Sequence, residues 1–345
     1  MTVMTDGMEL AKSLDESLGK ILKTDTLLDS ARDDLPVPES LTATIADLGL
    51  HGVAVAESDG GLGLELADRV RLAAVLGRRL VPAQVRNEAF GAAPALTAAG
   101  SAEASELLGR LLEGNLSSAV GLVNREGGDT FALAPADAEI LVILGIDRTG
   151  IFRIADEGVE VTALEGLDPG QGLNRIYLSD PEPIVSYGGD RAVRVRREFE
   201  LALICESFGS ADMTLELSAA YADEREQFGR PISSFQAVGH LLAEMKLGLE
   251  TSRAGIGRYV DLDSEEEASE AELEQWRATL AHSVPAAARR ACEGAIQVHG
   301  GIGFSWELGL HLHYRRILAD QFLLGGDSAT ADLIGSAYLD RRRAS

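Results

Sequence analysis

A mostly helical α+β chain, with a small β domain between two helical ones, is predicted by three observations. Apolar residues recur at helical spacing before about residue 117 and again after about residue 190. Between those limits they gather instead into short runs rich in β-formers. Clusters of Gly, Asp and Pro (EGGD, DRTG, DEG and DPGQG) punctuate those runs. The expected boundaries are a helical domain over 1–117, a β domain over 118–190 and a four-helix bundle over 191–345.

In the first domain, SLTATIADLGL (40–50) is amphipathic, with Leu41, Ile45, Leu48 and Leu50 near one face. In the following HGVAVAESDGGLGLELADRVRLAAVLGRRL, Gly60, Gly61 and Gly63 allow an open turn, and a helical run starts near Leu66. The helix signal weakens at Pro82 and Pro94 and returns over 102–113. SAVGLV, FALAP, EILVILGI, GIFRI, VEVTAL and RIYL then read as the strands of a small antiparallel sheet. From Val193 onward, long periodic runs cover 199–224, 235–260, 267–298 and 318–341. The acidic stretch DSEEEASEAELEQ (263–275) reads as a solvated loop and helix start.

Composition excludes several classes. With 345 residues, 46% of them hydrophobic, the chain can bury a large core. A formal net charge of −24, from 31 basic and 55 acidic residues, argues against a nucleic-acid binder. Cys205 and Cys292 are too few for a disulfide framework or a thiolate metal site, and a reducing cytoplasm is the simple reading. MTVMTDGMELAKSLDESLGK lacks the order of a signal peptide, and no stretch is apolar enough to span a bilayer.

Three stretches carry a resemblance to a known family. IADLGLHGVAVAESDGGLGLELADRVRLAAVLGRRL (45–80), YADEREQFGRPISSFQAVGHLLAEM (221–245) and AIQVHGGIGFSWELGLHLHYRR (295–316) resemble three segments of the acyl-CoA dehydrogenases. The first is similar to that family's N-terminal helix pair and glycine turn. The other two are similar to the long signatures of its C-terminal bundle. The likeness covers almost the whole chain, the β domain only in outline. It implies FAD extended across a subunit interface, an acyl-CoA substrate and an electron-accepting flavoprotein. Arg225 falls where the family's arginine meets the flavin diphosphate of a neighbouring subunit, and a guanidinium offers paired, charge-assisted hydrogen bonds there. Gln227, Phe228 and Gln236 follow at matching positions. In the other signature Gln297 offers an amide, while Gly300, Gly301 and Gly303 let backbone N–H groups approach a diphosphate. Either motif alone also fits a blander reading: an ion pair of Arg225 with Glu224 or Glu226, and glycines that merely cap a helix.

The expected base is missing. Family members remove a proton α to the thioester with a glutamate, while the β-hydride passes to the flavin. One family position for that glutamate lies in a Tyr-Glu-Gly-Thr stretch, and here Gly325 stands in its place within Leu324-Gly325-Gly326-Asp327. The other position falls on Phe199, and the flanking Glu198 and Glu200 point about 100° away on a helix. Glu206 reads as structural, and Asp327 is the nearest acid left as a candidate base. A Thr-Glu-Pro-Gly-type loop is also absent from VGLVNREGGDTFALAP (120–135). His311 and His313, two apart, diverge on a helix and read as packing or interface residues rather than metal ligands. Trp306 reads as core and His240 as an interface residue.

This pattern is similar to the reduced subunit of actinobacterial steroid-degrading acyl-CoA dehydrogenases, which are α2β2 heterotetramers. The resemblance implies a full-length partner subunit that supplies the glutamate, and a steroid side-chain or ring-remnant CoA ester as substrate. Two alternatives stand beside it: a homotetramer using Asp327 as base, and a non-catalytic scaffold for a related dehydrogenase.

Overall fold

The computed structural model describes residues 3–33, 39–123, 130–133, 138–265 and 268–344. The chain opens with four helices: α1 (Val3–Ile21), α2 (Thr24–Asp33), α3 (Glu39–Asp47) and α4 (Leu66–Arg78). Two compact units divide it, one within Met1–Ile21, Ser30–Leu72 and Val81–Ala202, the other within Leu22–Asp29, Ala73–Leu80 and Leu203–Ser345. The mostly helical α+β class is as expected.

In the first unit, α1 buries Leu14 and Leu18, one turn apart, and α3 buries Leu41 and Ile45 at the same spacing. The expected glycine turn follows. A Cβ on Gly61 would stand 2.2 Å from the Val55 carbonyl oxygen, so the turn closes only around glycine. The weak signal at Pro94 proves misleading. Helix is unbroken from α5 (Ala83–Arg86) through a π turn (Asn87–Ala92) into α6 (Ala93–Ala99). Pro94 is the second residue of α6, directly after the π turn that interrupts the α-helical hydrogen-bond pattern. After α6 comes α7 (Ala102–Leu112), capped by the Ser101 hydroxyl, which accepts from the Ala104 N–H at 3.1 Å.

Seven strands follow: β1 (Ser118–Leu122), β2 (Thr130–Leu133), β3 (Ile140–Leu144), β4 (Arg148–Arg153), β5 (Val159–Ala163), β6 (Leu173–Leu178) and β7 (Val185–Gly188). Their order in the sheet is β5-β6-β2-β1-β3-β4-β7. The sheet is not wholly antiparallel: β1 and β3 run parallel, from Ser118 opposite Ile140 to Leu122 opposite Leu144. Because β2 lies between β1 and β6, β3 takes the other side of β1. Both β1 and β3 are buried at every residue, which suits strands covered on both faces. Strand β7 was not foreseen. Only Tyr187 of its four residues is buried, and its hydroxyl donates to the Ala95 carbonyl at 3.0 Å.

The second unit holds the rest of α8 (Asp190–Glu224), then α9 (Gln236–Asp263), α10 (Glu270–His299), α11 (Leu310–Leu323) and α12 (Gly326–Ala344). Here α4 meets α8 through glycine. Cβ atoms on Gly77 and Gly209 would come within 1.9 Å of the Glu206 carbonyl oxygen and 1.8 Å of that of Ala74. The run expected as one helix over 318–341 is two, α11 and α12, parted where Gly325 and Gly326 take φ of 95° and 72°. Glu206 is structural as read: its carboxylate meets the Arg316 guanidinium at 2.6 Å with both side chains 1% exposed. Asp320 accepts from the Ser207 hydroxyl at 3.2 Å beside them. The acidic run over 263–275 ends α9 and begins α10, whose cap Ser269 accepts from the Glu272 N–H at 3.2 Å; residues 266–267 of that run lie outside the described residues. Among the described residues, no helix is long and apolar enough to cross a membrane.

Candidate functional site

Two surface features of the second unit carry the residues expected to hold FAD. The first follows the end of α8. The Arg225 N–H donates to the Tyr221 carbonyl at 2.9 Å, and the Arg225 carbonyl accepts from the Ile232 N–H at 2.8 Å. Between these bonds the chain turns through a two-stranded ribbon, β8 (Glu226–Gln227) and β9 (Arg230–Pro231). Phe228 and Gly229 form its tip, both with positive φ, 56° and 76°. Phe228 is 92% exposed and stands edge-on to Phe235 at 6.1 Å, while the Arg230 guanidinium lies 4.1 Å over the Phe235 ring.

The second feature is the end of α10. His299 closes the helix and Gly300 breaks away with φ 62° and ψ −135°. A Cβ on Gly300 or Gly301 would meet nothing within 4 Å, so the backbone there faces open space. Gly303 is different: its Cβ would come within 2.5 Å of the Ile296 carbonyl oxygen, so this glycine folds the loop back on the helix.

All seven residues expected to contact FAD (Arg225, Gln227, Phe228, Gln236, Gln297, Gly300 and Gly301) are exposed. No ion pair joins Arg225 to Glu224 or Glu226, so its guanidinium is available to an anion. A guanidinium, amide groups and an open glycine backbone suit an extended diphosphate. One contact missed in the sequence draws the two features together. The Tyr221 and His299 rings stack at 4.4 Å with 25° between their planes. Both residues lie inside the quoted motifs, but nothing in their spacing showed that they meet.

The two base positions look different. In the first unit Phe199 is 1% exposed, with the Arg86 guanidinium 5.7 Å from its ring centroid. A Cβ on Gly91 would press within 3.1 Å of the same ring. Glu198 pairs with Arg69, and Glu200 pairs with Arg196 at 2.8 Å. In the second unit Gly325 has no side chain to offer. Asp327 accepts a hydrogen bond from the Gln321 amide and lies 3.9 Å from the Arg289 guanidinium. Its carboxylate therefore ties the start of α12 to α11 and α10. Of the stretch over 120–135 that lacks the Thr-Glu-Pro-Gly motif, residues 124–129 and 134–135 lie outside the described residues.

Other candidates offer no reactive group. Burial pushes the Cys292 thiol up to about 12 and raises that of Cys205 too. Among the described residues no group of three His, Cys, Asp or Glu side chains could hold a metal. His313 is buried, and burial with the charges of Arg316, Arg78 and Arg79 holds its imidazole down at about 3. His311 stands edge-on to Trp306 at 4.4 Å, and Arg315 lies 5.4 Å over the same indole. Trp306 is half-buried rather than core, and His240 is exposed, 3.4 Å from the Gln236 amide.

Known proteins share this chain's fold and family. Residues 198–339 match the family described as acyl-CoA dehydrogenase, C-terminal domain. The solved structure of a variant of the Tcur3481-Tcur3483 steroid ACAD superposes with a TM-score of 0.83, 22% identity and full coverage of both chains. The ChsE4-ChsE5 complex from Mycobacterium tuberculosis gives 0.79 at 21% identity, over 96% of this chain and 97% of that one. At such identities these two speak for the fold. Among curated proteins, acyl-CoA dehydrogenase FadE34 of Mycobacterium tuberculosis (strain ATCC 25618 / H37Rv) is 32% identical over 82% of this chain, which spans only 40% of that longer protein. Acyl-CoA dehydrogenase IpdE2 of the same strain is 31% identical over 279 residues, 81% of this chain and 80% of that protein. With that identity sustained over most of both chains, and the C-terminal domain matched as well, this chain belongs to the acyl-CoA dehydrogenase family.

Proposed function

We propose that this chain is the reduced subunit of a heteromeric, FAD-dependent acyl-CoA dehydrogenase. The complex would introduce an α,β double bond into a CoA thioester of a steroid side chain or ring remnant. A full-length partner subunit would supply the glutamate base. One contrast carries this reading: Phe199 is sealed in the core and Gly325 is bare, whereas Arg225 and the Gly300–Gly301 backbone stand open. The chain has kept the means to hold a cofactor and lost the means to take a proton.

Members of the family are flavoproteins, and bound FAD supplies the acceptor for the β-hydride. This chain's part is to bind and orient. The Arg225 guanidinium would pair with diphosphate oxygens, and the bare backbone at Gly300 and Gly301 would let the diphosphate approach with no Cβ in the way. The amides of Gln227, Gln236 and Gln297 would complete the polar contacts, with Phe228 as an apolar cover. Two structural neighbours support the substrate and partner assignments: one is a steroid ACAD, and the other is the ChsE4-ChsE5 complex. Two buried free thiols support a reducing, cytoplasmic setting, where an electron-accepting flavoprotein would reoxidise the cofactor.

The test is to purify the chain alone and after co-expression with a full-length acyl-CoA dehydrogenase that keeps its glutamate. Alone, the chain is expected to carry little flavin. The complex is expected to hold fewer FAD molecules than chains and to desaturate its acyl-CoA with an artificial acceptor. A stable homotetramer with one tightly bound FAD per chain would overturn the proposal.

A further inference from the structure

We propose that Tyr221 and His299 are a positioning pair. Their stack sets the Arg225 turn against the glycine loop, and so fixes the spacing at which the two grip one diphosphate. This rests on the FAD reading above and deepens it. Neither ring is expected to touch the cofactor; each acts through its neighbours.

Four contacts support the inference. The two rings stack at 4.4 Å with 25° between planes, joining the last turn of α8 to the last residue of α10. The His299 ring is buried, and its Nδ1–H donates to the Ala295 carbonyl at 2.8 Å, which fixes its orientation. On the α8 side the Tyr221 carbonyl takes the Arg225 N–H at 2.9 Å, so a shift of the Tyr221 backbone moves Arg225 directly. On the α10 side a Cβ on Gly303 would lie 3.2 Å from the His299 Cβ, so the loop rests on His299 as it folds back. Two mobile surface features would hold a diphosphate poorly if each moved on its own. Linking them through stacked rings, one of them buried, restricts that motion before binding, and the ordering cost on binding falls.

An aromatic pair of this kind has a coupling that corresponds to about a three- to tenfold change in an equilibrium. The experiment measures FAD release from the co-expressed complex by the rise in flavin fluorescence, with circular dichroism and thermal unfolding of the FAD-free complex alongside. His299→Ala and Tyr221→Leu should each speed release about three- to tenfold, and the double variant no more than either. His299→Phe and Tyr221→Phe keep two stacked rings and should stay near the wild-type rate. Thermal unfolding of the FAD-free complexes should move little for Tyr221→Leu and the two Phe variants, while His299→Ala, which removes a buried ring, should lose some stability.

Wild-type release from His299→Ala, with Arg225→Ala still fast, would overturn the pairing while leaving the FAD reading intact. Unchanged release in Arg225→Ala as well would overturn both. If His299→Phe loses FAD as fast as His299→Ala, the stack is not the cause. If loss of FAD tracks an equal loss of stability in the FAD-free complex, the pair is merely structural. Should His299→Ala fail to assemble, His299→Phe and Tyr221→Leu decide the question by the same comparison.

Discussion

Replacing Arg225 with Ala tests the site most directly, because the structure separates its effect on binding from its effect on folding. The side chain is exposed and makes no ion pair with a described residue, so its removal opens no cavity and strands no buried charge. Substitutions of that kind stay within about 0.5 kcal/mol in stability. A guanidinium facing a diphosphate is different. A hydrogen bond to a charged group contributes about 1.5–3 kcal/mol, so Arg225→Ala should weaken FAD retention about ten- to a hundredfold. Arg225→Lys should recover only part of this, since an ammonium keeps the charge but not the planar fork. The assay is the FAD content and release rate of the co-expressed complex after gel filtration, with thermal unfolding of the FAD-free complex as control. Unchanged flavin content and release for Arg225→Ala would refute the reasoning. So would a loss of FAD that merely follows a loss of folding.

Asp327→Asn should leave kcat of the complex within a few-fold, because that carboxylate already accepts from Gln321; replacing the partner's glutamate with Gln should cost about 10²–10⁴. A hundredfold loss for Asp327→Asn with FAD still bound would make this chain catalytic in its own right. Arg316→Met leaves Glu206 buried without its cation and should destabilise the fold by about 3–5 kcal/mol in urea unfolding, with much of the loss recovered by adding Glu206→Gln. His313 is held at about 3, below its unfolded value near 6.5, so its neutral form is the folded one. It costs nothing above about pH 6.5. Below that the unfolded chain gains the proton first, and stability should fall by about 1.4 kcal/mol per pH unit until about pH 3. His313→Gln should flatten that part of the pH profile, and an unchanged slope would show that other groups set it.

Local pattern carried much of the fold. The spacing of Leu41 and Ile45, the glycine turn at Gly61 and the first six strands were all legible, because each depends on neighbours in sequence. The misses are places where a distant partner decides. Pro94 reads as a breaker until the π turn before it places it in a helix's first turn. The parallel pairing of β1 with β3 depends on the order of strands in the sheet, which no alternation pattern records. Strand β7 has one buried side chain and too little signal of its own. At the site, the anion-binding residue types could be read in order along two motifs. That Arg86 and Gly91 close over Phe199, and that Tyr221 meets His299, depends on packing between segments far apart in the chain.

The interior carboxylates each meet a partner within this chain, which fits the proposal that another chain supplies the base. A general base must present an oxygen free to accept a proton from substrate. Among the described residues the buried glutamates are Glu88, Glu200 and Glu206, and they meet His51, Arg196 and Arg316 respectively. The buried aspartates are engaged as well: Asp68 with Arg71, Asp168 with the Gly170 N–H, and Asp320 with Ser207. Freeing Glu206 for proton abstraction would break its fully buried pair with Arg316, at a cost of several kcal/mol. The surface shows the opposite economy. Phe228 combines 92% exposure with a left-handed backbone, a conformation that costs about 1–3 kcal/mol unless its surroundings enforce it. In an isolated chain that strain would offset nothing. Against a bound cofactor, as proposed above, it would place an aromatic cover beside the exposed Arg225 turn.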